Sequence, residues 1–437
     1  MDRGFPEIMH LGGEECVTGS CHLVRVNGLN VLVDCGSAQG GDFVIPMEEW
    51  PVKPEEVDYL FLTHAHVDHI GRVPELVWEG FRGEILTTEA TRLLLKPMLD
   101  DAMGFSHWSE REAGELGKKI DELSWDFEYG KLFELKNGVR FKLGRTGHIL
   151  GSCFVRFEDE GKSWSVVFSG DLGAKDTPLL PDPDIPEPCD LLIMESTYGD
   201  RVHEERRHRA ERLGRILHGA LRDGGKMFIP AFALGRSQEL IYEMDRLFDE
   251  GEMKKRKAPV FLDSPLGLEV TRITAKLREF WDREARELAR EGDDPLDFER
   301  LYGIGDHKAH KGLLEMEGPA VILAGSGMCT GGRIVEHLRR GIEDPRNDVL
   351  FVGYQAKGTT GRELIECGRR GGGSVWIGGE RREVRARVHE LGGYSAHADQ
   401  RELLEWARAV GAKRVKLVHG EDRARQVLAE RMGELAG

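Results

Sequence analysis

The sequence predicts a two-domain α/β fold, a β-rich domain interrupted by a parallel sheet with helices on its faces. Three observations carry this. The 437 residues exceed what one compact domain usually holds. The first part of the chain is a succession of short apolar runs, several ending at His or Asp. Beyond about residue 200, helix-length segments alternate with buried-type strands, and strand-end histidines return only in the tail. The expected organisation is 1–200 and 381–437 as one domain, with 201–380 inserted into it.

The elements follow in order. CHLVRVNGLNVLVDCG holds two apolar runs around Asn27-Gly28, a pair that tolerates the positive φ of a tight hairpin turn. YLFLTH, RFKLG, CFVRFE, WSVVFSGD and LLIMESTYGD read as further strands. In the insert, HEERRHRAERLGRILHGALRDGG has helical spacing and stops at Gly, and KMFIPA is a buried strand. ALGRSQELIYEMDRLFDE (helix), APVFLD (strand), LEVTRITAKLREFWDREARELAREG (helix), AVILAG (strand) and GGRIVEHLRR (helix) continue the alternation. From about 380 come a strand, the helix DQRELLEWARAV, the strand RVKLVHG and a last amphipathic helix. KKRK (254–257) and the charged stretch 205–209 read as solvated surface.

Composition narrows the function classes. Apolar residues at 40% against 32% charged suffice for a sizeable core, which excludes a disordered chain. No run approaches the roughly 18 apolar residues of a membrane span, and the N-terminus lacks a signal pattern. Seven scattered cysteines without a CxxC pair predict buried thiols in a reducing, cytoplasmic setting. Lys plus Arg number 61 against 77 Asp plus Glu, a net charge of −16, so any grip on a polyanion must be local.

The sharpest feature is FLTHAHVDHIG (61–71). His64, His66, Asp68 and His69 lie on one strand-to-helix turn, and imidazole with carboxylate suits Zn²⁺. Asp34 (VLVDCG), His148 (TGHILGS), Asp171 (VVFSGD) and His419 (VKLVHG) each end or follow an apolar run. Singly, each such Asp can cap a turn and each His can be structural. Together they point to a metal centre.

With these residues in place, the sequence resembles the metallo-β-lactamase superfamily, whose HxHxDH signature and flanking Asp and His motifs occur here in order. The likeness extends to the β-CASP branch through IMESTYG (Glu195), YSAHAD (His397) and LVHGE (His419). PAFALGRSQEL, GSGMCTGGR and GYQAKGTTGREL are similar to the RNA-cleaving members, the bacterial and archaeal relatives of the cleavage and polyadenylation specificity factor endonuclease. The resemblance implies a metallo-β-lactamase αββα sandwich with an inserted β-CASP domain. It implies two Zn²⁺ per chain, one on His64, His66 and His148, the other on Asp68, His69 and His419, with Asp171 bridging. Asp34 would orient a ligand rather than bind metal, and Cys35 and Cys153 would be core.

The implied reaction is hydrolysis of single-stranded RNA by a metal-bridging hydroxide, leaving a 5′-phosphate and a 3′-hydroxyl. Asp68, His397 and Glu195 are the expected catalytic residues, His397 as general acid and Glu195 holding its second nitrogen. In the family the DNA-repair members carry an aliphatic residue at the position of His419, so the histidine favours RNA. Expected RNA contacts are Arg236, Ser326, Gly327, Met328, Lys357, Arg362 and Ser395, with weak base specificity because the sequence shows no stacked-aromatic platform. Endonucleolytic cutting is the main reading. The alternatives are a 5′-to-3′ exoribonuclease, a catalytically silent RNA-binding or scaffold subunit, and a small-molecule hydrolase. The added RNA-binding modules and assembly extensions of longer relatives are not expected here. A homodimer is compatible, and nothing points to a membrane or a large complex.

Overall fold

The computed structural model describes residues 4–104, 106–204, 206–249 and 258–435; the basic run 254–257 and residue 205 lie outside them. The chain forms two compact units. One comprises residues 1–175, 180–202 and 396–437; the other comprises 176–179 and 203–395. The second compact unit thus runs on to residue 395, beyond the 380 expected for the insert. The reason is the strand Arg387–Glu390, which pairs in parallel with Asp348–Phe351 and so extends the insert's own sheet.

The first unit is built from two six-stranded sheets. β1 (Glu7–Gly12), β2 (Cys21–Val26), β3 (Leu29–Val33), β4 (Tyr59–Phe61), β5 (Glu84–Thr87) and β6 (Ser124–Asp126) form one in sequence order. The β2–β3 turn has Asn27 and Gly28 at φ of 50° and 79°, the two left-handed positions of a tight hairpin. β7 (Leu132–Glu134), β8 (Val139–Arg145), β9 (Cys153–Asp159), β10 (Ser165–Phe168) and β11 (Leu191–Glu195) belong to the second sheet.

Phe61, Leu86 and Val31 of the first sheet and Phe141, Phe157 and Phe168 of the second share one buried cluster, so the sheets pack face to face. Phe61 meets Phe141 and Phe157 edge-on at 4.9 Å. The far side of the second sheet buries Phe154, Val167 and Leu192 under Leu403 and Trp406 of the helix Gln400–Val410 and Leu428 of the helix Asp422–Leu435. Asp399 caps the former of these helices through the Glu402 N–H. The helices Glu89–Gly104 and Glu110–Leu123, which the short runs of the sequence did not announce, pack with β5 and β6. Helix, sheet, sheet and helix make the αββα sandwich.

The second unit contains β12 (Lys226–Pro230), β13 (Val260–Leu262), β14 (Leu301–Gly303), β15 (Ala320–Ala324) and β16 (Asp348–Phe351). A hairpin, β17 (Gly373–Ile377) with β18 (Glu380–Val384), and β19 (Arg387–Glu390) complete it. The sheet order is β14-β13-β15-β12-β16-β19, parallel throughout. The long helix expected over LEVTRITAKLREFWDREARELAREG is instead two, Pro265–Lys276 and Arg283–Glu291. Trp281 turns fully inward, with its indole N–H on the Thr274 carbonyl, and Asp282 then caps the second helix. The last strand, β20 (Val415–Val418), rejoins the first unit beside β11.

Two stretches of backbone lie against each other where β3 and β4 end. Ser20 N–H bonds the Asp68 carbonyl and Cys35 N–H the His69 carbonyl, both at 2.8 Å. A Cβ on Gly36 would stand 1.6 Å from the Asp68 carbonyl oxygen, so only glycine lets the 34–37 segment approach the His-rich turn. Gly36→Ala is expected to destabilise the chain by roughly 2–5 kcal/mol, through forced backbone displacement. Thermal or urea unfolding checks this; a wild-type midpoint would contradict it.

Candidate metal centre

The site forms where the strands of the sandwich end. β3 and β4 run parallel, as do β10, β11 and β20, so their carboxyl ends deliver side chains to one edge of each sheet. β3 leads to Asp34, β4 to His64, β10 to Asp171, β11 ends at Glu195 and β20 leads to His419. His66, the residue before the short helix Val67–Ile70, and Asp68 and His69 within it follow from β4. Asp34 and His419 sit at φ of 61° and 50°, a region non-glycine residues seldom occupy. Backbone bonds hold them there: Asp34 N–H to Phe61 O at 2.8 Å, His419 N–H to Gly13 O at 2.7 Å.

Two clusters result. His64, His66, His148 and Asp171 form one; Asp68, His69 and His419 form the other. In the first, His66 Nδ1 is 3.2 Å from His64 Nε2 and 3.1 Å from His148 Nε2. Asp171 Oδ2 lies 3.6 Å from both His64 Nε2 and His148 Nε2. In the second, His69 Nε2 and His419 Nε2 are 3.2 Å apart, and Asp68 Oδ2 is 3.6 Å from His419 Nε2. Asp171 turns its other oxygen, Oδ1, to His69 Nε2 at 3.4 Å. One carboxylate thus faces both clusters.

These separations fit a shared cation. Ligand nitrogens about 2.0–2.1 Å from a tetrahedral zinc stand roughly 3.3 Å from one another. The donor set is imidazole and carboxylate with no thiolate, and Asp171 Oδ1, fully buried, makes no hydrogen bond. Burial pushes His64, His66 and His148 below the ordinary imidazole value, toward the neutral form that ligates metal. Burial acts on His69 too, but Asp171, Asp34 and Asp68 outweigh it and hold a proton there. A divalent cation held there would satisfy the same carboxylates in place of that proton.

A third group of ligand-type residues provides a contrast. Asp263, His310 and His337 are buried in the second unit. There Asp263 Oδ2 is only 2.6 Å from His310 Nδ1 and from His337 Nε2, while Arg333 holds Oδ1 at 2.7 Å. Those are hydrogen-bond lengths, too short for two ligands around one ion, and the carboxylate is already neutralised by Arg333.

The supports of the metal turn include residues that sequence reading passed over. Asp34 accepts from Thr63 N–H at 2.8 Å, from Thr63 Oγ1 at 2.9 Å and pairs with His69 Nδ1 at 2.7 Å. Thr197 Oγ1 contacts His419 Nδ1 at 3.1 Å, leaving Nε2 toward the cluster. Both threonines sit beside sequence motifs, yet a strand-end threonine has too many ordinary uses to stand out.

His397 lies beside the clusters. The segment around it is zipped to the one after Asp171, with Ala398 N–H on Leu172 O at 2.7 Å and Ala174 N–H on Ala396 O at 3.2 Å. Its Nδ1 is 3.2 Å from Glu195 Oε1, which also accepts the Leu172 N–H at 2.6 Å. Burial would lower the His397 pKa, but the charge and hydrogen bond of Glu195, with Asp171 and Asp68, raise it to about 9. The imidazole is therefore held protonated at neutral pH.

The expected RNA contacts all lie in the second unit, beyond the carboxyl ends of its parallel strands. Arg236 is buried and ion-paired with Glu239. Ser326 Oγ accepts the N–H groups of Thr330 and Gly331, folding 326–331 into a compact turn with Gly327 and Met328 at its start. Lys357 is exposed. Arg362 pairs with Glu366 at 3.0 Å, and the Ser395 carbonyl accepts from Arg206 at 3.2 Å.

Fold and site together define a metallo-hydrolase. Family models match three stretches of the chain: the metallo-beta-lactamase superfamily over residues 15–214, the Beta-Casp domain over 237–364, and the Zn-dependent metallo-hydrolase RNA specificity domain over 381–437. The chain belongs to the metallo-β-lactamase superfamily, in its β-CASP branch. Ribonuclease TTHA0252 of Thermus thermophilus is 40% identical over 95% of this chain and 93% of its own length. Transcription termination factor FttA of Methanocaldococcus jannaschii is 30% identical over 95% of this chain and 67% of its own. The FttA of Pyrococcus abyssi is 32% identical, and this chain spans 66% of it. A protein of unknown function from Enterococcus faecalis V583 shares the fold, with a TM-score of 0.58 at 10% identity, 97% of this chain and 95% of that one being covered. No helix among the described residues is long and apolar enough to cross a membrane.

Asp34→Ala removes the group that fixes His69 and Thr63. Metal affinity is expected to fall about 10- to 100-fold, as read by competition with a chromogenic chelator. Unchanged affinity would show that His69 needs no such support.

Proposed function

We propose that this chain is a two-zinc ribonuclease that hydrolyses phosphodiester bonds of single-stranded RNA, cutting internally and leaving 5′-phosphate and 3′-hydroxyl ends. The observation that carries the reading is Asp171, whose two oxygens face two ligand clusters while the His397–Glu195 pair stands alongside. His64, His66 and His148 would hold one zinc, Asp68, His69 and His419 the other, with Asp171 common to both. When bound, the ions supply an activated water and neutralise charge on the phosphate.

The remaining work falls to side chains of the chain. Glu195, buried and receiving the Leu172 and Thr197 N–H groups, holds His397 by Nδ1 and keeps it charged. His397 then gives its proton to the departing 3′-oxygen, which would otherwise leave as an alkoxide. No 2′-hydroxyl takes part in this chemistry. Preference for RNA is supported by the RNA specificity model over 381–437 and by the name of the Thermus relative. The turn 326–331 and exposed Lys357 would position the phosphate backbone, and a soluble, cytoplasmic setting suits the buried thiols.

The test uses a 5′-labelled, 3′-blocked single-stranded RNA beside the same sequence as DNA. Internal RNA fragments with 5′-phosphates are expected from the wild-type chain. His397→Ala should keep its zinc and lose about 10²–10⁴-fold in kcat. Labelled mononucleotides alone would instead make it a 5′-to-3′ exonuclease, and no cleavage by zinc-loaded protein would overturn the reading.

A further inference from the structure

Two loops of the second unit flank the end of β12. The turn 326–331 follows β15 on one side, and the segment bearing Gln355 follows β16 on the other. Gln355 is 4% exposed, a neutral polar side chain buried among loops. Its amide nitrogen donates to the Gly327 carbonyl at 2.9 Å and to the Tyr354 carbonyl at 3.0 Å. Its oxygen, Oε1, is buried and bonds nothing. A Cβ on Gly361 would stand 1.8 Å from that oxygen and displace the carboxamide, so the glycine makes room for it. Turning the amide over would set an oxygen against two carbonyls, which fixes the direction of the nitrogen. An unpaired buried oxygen is unfavourable. What the side chain delivers is its N–H donors alone.

Their effect follows from peptide geometry. Residues 326–329 make a β-turn closed by the Cys329 N–H on the Ser326 carbonyl at 3.1 Å. The Thr330 and Gly331 N–H groups are also engaged, on Ser326 Oγ. The two central N–H groups, of Gly327 and Met328, have no hydrogen-bond partner among the described residues. In a planar trans peptide the carbonyl and the following N–H point in opposite directions. Gln355 draws the Gly327 carbonyl toward itself, so the Met328 N–H points away from Gln355. The Gly361 N–H holds the next carbonyl, that of Met328, at 3.1 Å, and both carbonyls are thereby tied down. Two adjacent N–H groups left open on a fixed turn suit an anionic oxygen.

We infer that Gln355 is a positioning residue, setting the 327–328 peptide so that the Met328 N–H donates to a phosphate oxygen of bound RNA. This rests on the ribonuclease reading above and names the group that aims the turn. Gln355 itself touches no substrate; it acts through one peptide plane. Lys357, exposed two residues further on, adds positive charge from the same loop.

The first measurement leaves Gln355 unchanged. The full chain carrying His397→Ala, so that RNA is not consumed, is labelled with [15N]methionine and titrated with a short single-stranded RNA. The Met328 amide signal, identified by its loss in Met328→Leu, is expected to move downfield as RNA binds. A signal that stays put while RNA binds overturns the inference. The second measurement compares zinc-loaded wild type with Gln355→Leu, which keeps bulk and removes the donor. KM for the RNA is expected to rise about tenfold, with kcat and zinc content unchanged. An unchanged KM, or a kcat that falls while KM holds, overturns the inference and leaves the ribonuclease reading intact. A zinc-loaded wild type that neither binds nor cuts RNA overturns both.

Discussion

A carboxylate as deeply buried as Asp171, with an oxygen that bonds nothing, is a debt the fold must settle. An isolated charge in such a place costs several kcal/mol after relaxation, and surrounding it with five imidazoles settles the matter only if positive charge resides among them. His419, His69 and His64 indeed hold Asp171 well below the carboxylate range against the effect of burial. Two divalent ions, as proposed, would meet the same demand without requiring protonated histidines. Much of the first unit follows from this: strands end at one edge so that their last side chains converge there.

The backbone bears the cost of that convergence. Asp34 and His419 are held at positive φ, and Gly36 gives up its side chain so that the Asp68 carbonyl can approach. The hydrogen bonds from Ser20, Cys35 and Ser37 to the 67–69 carbonyls make the His-rich turn a rigid ledge. Rigidity matters because metal ligands and His397 must share fixed positions, within about 0.5 Å in a working site. The zipper of 172–174 against 396–398 performs the same office for His397, so in the proposed reaction the tail would position the proton donor.

Much of this could be read in the sequence, and the limits have physical causes. FLTHAHVDHIG was legible because its four ligand-type residues are nearly contiguous, and Asp34, Asp171 and His419 because strand ends announce themselves as apolar runs. Thr63 and Thr197 were not, since their hydroxyls gain meaning only from the ligand they touch. The break at Trp281 was hidden because apolar spacing continues through it; only the tertiary pocket that takes the indole reveals it. That 381–395 packs with the second unit was hidden because β19 pairs with a strand far back in the chain. Asp263, His310 and His337 are scattered in sequence, and distance alone separates their hydrogen-bonded cluster from the metal-spaced one.

The claim on which all this depends is that the strand-end clusters of the first unit hold two metal ions sharing Asp171. Anomalous diffraction at the zinc edge, from crystals of the zinc-loaded chain, tests it most directly. Two peaks are predicted, one among His64, His66 and His148, the other among Asp68, His69 and His419, both adjoining Asp171, with none at Asp263. A single peak away from Asp171, or a peak at Asp263 and none at the strand ends, would contradict the account.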